Sequence, residues 1–295
     1  MALTGQNQWA QIIAAKTRNT INGGYLFNNR YRGDAATAVS VLIPATSKKK
    51  AAAYNKNDIT QNKIGSHENE WIPMNVDKDY SIIDLVDGYD ANTLPYDVKR
   101  DELEESARAF LEQEEADGIT ALVNAVAGND VNGAAFADTA RKGKKGTTIA
   151  SGKALSAADP YKVLTDIGAA MTKKGVPLKD RYAVVDADVY AAILNSDKAI
   201  RQGDLAQKLV QDGVVAQLAG FNIYVSQFLP AGTGILAGHA DFATRAEAFR
   251  VEPMILDASS TDAQAVGGVF IKGRIVYAHG VTNPEAFVAW TYTVA

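Results

Sequence analysis

The sequence predicts an α+β protein, a long acidic helix followed by a mixed α/β region that closes in strands. Three observations carry that class. Residues 97–127, "DVKRDELEESARAFLEQEEADGITALVNAVA", hold apolar positions at the three-to-four spacing of one helix face. Two strand-like segments precede this helix, separated by a long polar stretch. After residue 181, short β-branched runs alternate with helical patterns, and strand candidates dominate the end of the chain.

The composition suits a folded protein. Of 295 residues, 47% are hydrophobic and 22% charged, and a chain of this length buries a core without staples. Cysteine is absent, which removes disulfides and thiolate metal sites and fits a reducing compartment. A net charge of −4 disfavours wrapping of nucleic acid by phosphate neutralisation. No run of 18 apolar residues exists, and residues 1–20 lack the basic start and apolar stretch of a signal peptide.

In chain order, residues 1–37 form a polar, locally basic arm with Lys16, Arg18, Arg30 and Arg32 set against Asp34, and an apolar patch at Trp9, Ile12 and Ile13. "AVSVLIPA" reads as a strand stopped by Pro44, and "EWIPMNVDKDYSIIDLV", from Glu70, as a second strand-like segment. Between them, Thr46 to Asn69 is rich in Lys and Asn without periodicity, so the pair reads as an extended hairpin with a polar tip. The helix over 97–127 places Leu103, Ala107, Phe110, Leu111, Ile119, Leu122, Val123 and Val126 on its buried stripe, with Gly118 weakening its middle. Residues 128–156 read as loop. Asp159, Pro160, Lys173, Lys174 and Gly175 are the start and stop signals of a second helix, whose buried face is Val163, Leu164, Ile167, Ala170 and Met171. "RYAVV" is a short buried strand and "VYAAIL" starts a helix. "GFNIYVSQFLP", "GTGILAGH", "AFRVEP", "VGGVFIKGRIVYAHGV" and "AFVAWTYTV" complete the strand candidates.

Residues able to carry chemistry are few. Asp186 and Asp188, in "RYAVVDADVYAAILNSD", offer oxygen ligands for a divalent metal at a strand end. The same residues suit a helix cap, which needs no further ligands, and the cap is the expected role. "GTTIASGKALS" fails as a phosphate loop, because five residues separate Gly146 from Gly152 and Ala154 follows Lys153. His67, His239 and His279 share no motif. The paired acids of the long helix, such as Glu104 and Glu105, read as a solvated face, and Lys48–Lys50 and Arg141–Lys145 as surface charge or inter-subunit salt bridges ahead of nucleic-acid contact.

This order of parts, together with "RYAVVDADVYAAILNSD" and "VVAQLAGFNIYVSQFLPAGTGILAGHADFA", resembles the major capsid proteins of tailed bacteriophages. The resemblance covers the whole chain by layout and residues 158–245 by local sequence. It implies a capsid-shell fold shared with encapsulins and the herpesvirus capsid floor. The N-arm would be 1–37, the E-loop 38–88 and the P-domain with its spine helix 89–165. The A-domain would be 166–245, and 246–295 would be strands returning through the P-domain. The implied function is self-assembly, through hexamers and pentamers, into an icosahedral shell around a double-stranded DNA genome, without enzyme activity, cofactor or metal. The implied contacts between subunits are Lys48, Lys49, Lys50, Tyr54, Lys56 and Lys63 on the hairpin and Trp9, Arg18, Arg30 and Arg32 on the arm. Only residues 1–37 precede the hairpin, so a separate scaffolding protein is implied, along with a portal, room for a decoration protein and weak non-specific contact with packaged DNA. The location implied is the virion, after assembly in the host cytoplasm. Some relatives cross-link a hairpin Lys to an Asn of a neighbour; no such pair is identified here. Two other readings stand beside this one: an encapsulin-type compartment, and a metal-dependent transferase using Asp186 and Asp188.

Overall fold

The computed structural model describes residues 26–31, 39–45, 56, 70–86, 98–155, 159–195, 217–257 and 269–293. Strand β1 (Ser40–Ala45) pairs antiparallel with β2 (Glu70–Asn75), Ser40 opposite Asn75 and Ala45 opposite Glu70. Alternation sends Val41, Ile43, Ile72 and Met74 to one face, where they pack on Ala140, Ala246 and Ala278. Those small partners let the root of the hairpin lie close to the body. Pro44 does not stop β1, because in a two-stranded ribbon a proline is tolerated wherever its missing N–H would point away from the partner. The segment expected to run on from Glu70 breaks at Val76 and Asp77. There the chain changes partner, and Asp77 accepts a hydrogen bond from Asn132 at 2.7 Å. β3 (Lys78–Val86) then joins a different sheet.

Helix α1 (Val98–Ala127) matches the expected span. Its last turns bury Ile119, Leu122, Ala125 and Val126 in the main core. The turns before these depart from the expected stripe. Leu111 is exposed, whereas Glu114 and Glu115, counted among the solvated acids, are buried. Partners on the strands accept these charges, as described below. Gly146 follows, where an added Cβ would lie 2.6 Å from the Phe287 carbonyl oxygen and 2.8 Å from Val126 Cα. Only glycine fits there.

Residues expected to be loop contain β4 (Thr147–Ala154), parallel to the last strand. Its exposed alternate residues and Gly152 hide the strand in the sequence, since an edge strand needs hydrogen bonds from one side only. Helix α2 (Pro160–Lys173) begins as its signals foretell: Asp159 accepts from the Lys162 N–H at 3.4 Å, and Gly175 ends it at φ 77°. Arg181, buried, ties down its exit by donating to the Val176 and Pro177 carbonyls, each at 2.7 Å.

β5 (Arg181–Val185), α3 (Ala187–Leu194), β6 (Gln217–Leu218), β7 (Phe221–Val225), β8 (Thr233–His239), β9 (Ala243–Asp257), β10 (Val269–Val281) and β11 (Val288–Thr293) follow. One sheet has three strands in the order β3-β10-β9, all antiparallel, with α1 against one face. The other has six strands in the order β4-β11-β8-β5-β7-β6, with β4–β11 and β5–β7 parallel. The six-stranded sheet therefore joins β4 and β11, from outside residues 166–245, to the strands within that range. The last strand, β11, pairs here and not with β9 or β10.

β8 is buried along its whole length. A Cβ at Gly234 would lie 2.5 Å from the Trp290 ring, and one at Gly238 would lie 2.6 Å from the Phe287 ring. Both aromatic residues are buried. Gly234→Ala is therefore expected to cost about 1–3 kcal/mol by overpacking, read as a lowered urea midpoint with unchanged slope.

Candidate assembly surfaces

Asp186 occupies the N-cap position of α3, yet its carboxylate makes no cap hydrogen bond. Instead the Tyr292 hydroxyl donates to Asp186 Oδ2 at 3.3 Å, and burial together with this carboxylate holds the Tyr292 phenol above its usual range. Asp188 is exposed in the first turn, where its charge favours the helix N-terminus. The expected side-chain cap is thus replaced by a tie from strand to helix. The described residues bring no three His, Cys, Asp or Glu side chains together as metal ligands.

Arg141, expected at the surface, is buried. It meets Asp138 in a two-pronged pair at 2.9 and 2.7 Å, donates to the Val281 carbonyl at 2.8 Å and lies 4.3 Å over the Phe136 ring. Lys142, Lys144 and Lys145 remain exposed.

The seam between α1 and the three-stranded sheet is largely polar. Asp117 accepts the Tyr80 hydroxyl at 2.9 Å and the Tyr277 hydroxyl at 2.8 Å, while Gln113 donates to Asp117 at 3.2 Å. Burial, reinforced by the Asp117 charge, raises the Tyr277 phenol far above its ordinary value. Glu114 pairs with Arg245, which also reaches Glu247 at 3.2 Å, and Arg250 lies 3.3 Å from Glu247. Burial raises the Glu114 carboxyl, opposed by Arg245 and Arg250. Ser226 donates to Glu115 at 2.5 Å, which joins α1 to the end of β7. The contacts to Tyr80, Tyr277 and Arg245 hold the three-stranded sheet against the helix, because a shifted register would separate each carboxylate from its donor or cation.

That register leaves the other face of the sheet bare. Ile83 is 64% exposed, Leu85 54%, Phe249 48% and Met254 44%. In the ladder Ile83 lies opposite Lys272, which lies opposite Met254, so these residues share one face. Lys272 reaches over the Phe270 ring at 5.1 Å, and Arg274 pairs with Asp79 at 2.5 Å. The root of the hairpin carries a second bare patch, with Leu42 and Trp71 on the face opposite its packed residues. Neither patch was singled out from the sequence. The signal was present in "SIIDLV", where consecutive apolar residues in a strand must occupy both faces.

Of the contact residues implied by resemblance, Arg30 and Lys56 fall among the described residues. Arg30 is exposed and pairs with Asp241 of its own chain at 2.6 Å, and Lys56 is exposed. Trp9, Arg18, Arg32, Lys48, Lys49, Lys50, Tyr54 and Lys63 lie outside the described residues, as does His67.

Solved phage structures share this fold. The chain is similar to a structure titled Mycobacterium phage Che8, with 20% identity, a TM-score of 0.71, and 92% of this chain and 91% of that one covered. A capsid structure of the cyanophage P-SCSP1u matches at 15% identity and TM-score 0.75, covering 99% and 94%. Mycobacterium phage Cain matches at 13% identity and TM-score 0.67, covering 99% and 96%. No curated protein sequence matches. The fold is the phage capsid shell fold. A family described as phage capsid protein matches residues 89–290. The chain belongs to that family and is a major capsid protein, a structural component of the virion shell.

The buried pair and the half-buried tie predict different costs. Asp138→Ala leaves the Arg141 guanidinium buried without its anion and is expected to lower stability by about 3–5 kcal/mol. Asp186→Ala removes one long hydrogen bond and is expected to cost about 1 kcal/mol. Urea titrations of the two variants check the contrast.

Proposed function

We propose that the subunit builds its shell by laying apolar faces and an extended hairpin across neighbouring copies, without enzyme activity. The observation that carries this reading is the bare face of the three-stranded sheet, Ile83, Leu85, Phe249 and Met254. Apolar patches of this kind on a soluble subunit mark association sites. Pro44 on β1 and Pro73 on β2 each lack an N–H on a two-stranded ribbon, which discourages strand addition and favours contact through its face. Many weak contacts then sum to a stable shell, because each added copy meets several neighbours at high effective concentration.

In this reading the domains follow the capsid layout: N-arm 1–37, E-loop 38–88, P-domain 89–165, A-domain 166–245, and 246–295 returning strands. Lys48, Lys49, Lys50, Tyr54, Lys56 and Lys63 of the hairpin, with Trp9, Arg18, Arg30 and Arg32 of the arm, contact neighbours. Exposed Glu102 and Glu104 on α1 suit those cations as partners. A separate scaffolding protein, a portal and a decoration protein complete the particle, which assembles in the host cytoplasm. The net charge of −4 supports weak, non-specific contact with packaged double-stranded DNA.

Replacing residues 46–69 by a short Gly-Ser turn tests the hairpin. The subunit is expected to stay soluble, with unchanged circular dichroism and thermal midpoint, because shortening a surface loop costs little. Sedimentation should show shell formation lost or aberrant. Normal shells from a strongly destabilised subunit would refute the reading. Ile83→Glu with Leu85→Glu, on the bare sheet face, is expected to abolish shells while shifting subunit stability by less than about 1 kcal/mol.

A further inference from the structure

We propose that residues 26–31 form an acid-releasable strap, held against α1 by the ring of His279, and that protonating this histidine detaches the strap while both sheets stay folded. The proposal concerns the subunit alone, so its failure leaves the shell reading untouched.

The strap is anchored by two apolar side chains and one asparagine. Leu26 and Phe27 are buried in the main core. Asn28 forms an isolated bridge to Thr244 at the start of β9. Its N–H donates to the Ala243 carbonyl at 2.9 Å, its carbonyl accepts from the Arg245 N–H at 2.9 Å, and its Nδ2 donates to Ala243 at 2.7 Å. Nδ2 also donates to the Ala240 and Asp241 carbonyls at 2.9 and 3.2 Å, the Thr244 hydroxyl donates to Asn28 Oδ1 at 2.6 Å, Tyr31 packs on the hairpin-root cluster, and Arg30 pairs with Asp241 at the surface. These ties are confined to one short segment, which opens locally at lower cost than the continuous ladders on both sides of His279's own strand, β10.

The Phe27 ring rests on His279, centroid to centroid 4.7 Å, and Tyr277 meets the same imidazole edge-on at 5.3 Å. α1 carries Gly118 where these rings press. A Cβ there would lie 2.9 Å from Phe27 Cε2 and 3.4 Å from His279 Nε2. The glycine that weakens the helix therefore makes room for the strap. His279 is buried, and its Nδ1 has no hydrogen-bond partner among the described residues.

The charged groups around this ring do not welcome an imidazolium. On β9, Arg245 stands directly opposite His279, with its own charge engaged by Glu114 of α1 and by Glu247. On β3, Lys78 adds a second positive charge. On β10 itself, Tyr277 directs its hydroxyl to Asp117 of α1. Burial first, then Arg245 and Lys78, push the imidazole down from 6.5 to about 3.

The docked strap thus requires neutral His279. Docking has full strength above the ordinary histidine range and weakens as pH falls from 6.5 towards 3. With the ring returned to water on release, each pH unit in that window shifts the balance about tenfold, giving up to ~100-fold at pH 4.5.

The chain has no cysteine, so one introduced thiol reports one place. Leu26→Cys reads the strap and Ala183→Cys, in buried β5, reads the body. Each is reacted with 4,4′-dithiodipyridine at pH 7 and 4.5, and rates are normalised to the urea-unfolded protein at the same pH. Protection of position 26 is expected to fall at least about tenfold at pH 4.5 while position 183 stays protected. In His279→Gln or His279→Leu backgrounds, protection at 26 should not change with pH. Joint opening of both positions, an equal loss in the histidine variants, or no loss at all overturns the proposal. NMR titration of the wild-type imidazole is an independent check that needs no variant at 279. A ring that titrates near its ordinary value while position 26 stays protected also overturns it.

Discussion

Helix α1 must serve two sheets at once, and most of the architecture follows from how it divides that work. Its last third is mostly apolar and enters the core beneath the six-stranded sheet through Ile119, Leu122 and Val126. Its first two-thirds lie on the three-stranded sheet, where Phe110 packs with Ile275 and Tyr277 and where Glu114 and Asp117 take partners from the strands. A purely apolar seam would tolerate several registers at similar energy. Buried carboxylates with named donors tolerate one, since a shifted register strands a charge. The orientation of the sheet, and so the face it turns outward, is set by that polar seam.

The outward face shows why such rigidity suits a shell subunit. A shell closes only if each copy presents the same patch at the same angle to its neighbours. The seam holds the sheet in one orientation, the β11 return ties β4 to β8, and Arg141 with Asp138 braces the turn after α1 against Val281. The subunit accordingly resists bending where it must be uniform. Its bare apolar residues Ile83, Leu85, Phe249 and Met254 stand on the two edge strands, β3 and β9, of a sheet backed by a helix.

Legibility differed between the folded body and its contacts. The span of α1, the caps of α2 and most strands from residue 181 onward, though not β6 and only the middle of β9, were readable because local pattern and local chemistry agree there. Edge strand β4 was not, since one-sided pairing leaves no apolar alternation to see. The partner switch at Val76 and Asp77 was equally hidden, because a strand's sequence does not name the strand it will join. Among site residues, the role of Asp186 was read as a cap, and its tie to Tyr292 depends on a strand 106 positions away.

By itself the sequence determined the elements with strong periodicity, the absence of any thiol chemistry and an acidic balance that disfavours tight wrapping of nucleic acid. Those properties are local sums over residues and survive any arrangement in space. Tertiary structure alone decided which charges are buried. Glu114, Glu115 and Arg141 look like surface residues in the chain and become internal only because Arg245, Ser226 and Asp138 meet them. It also decided which apolar residues stay in water. Ile82 and Ile83 are adjacent and alike, and the strand's alternation places one against the Phe110 cluster and the other on the open face. Burial belongs to pairs of surfaces, and a pair exists only once the chain has folded.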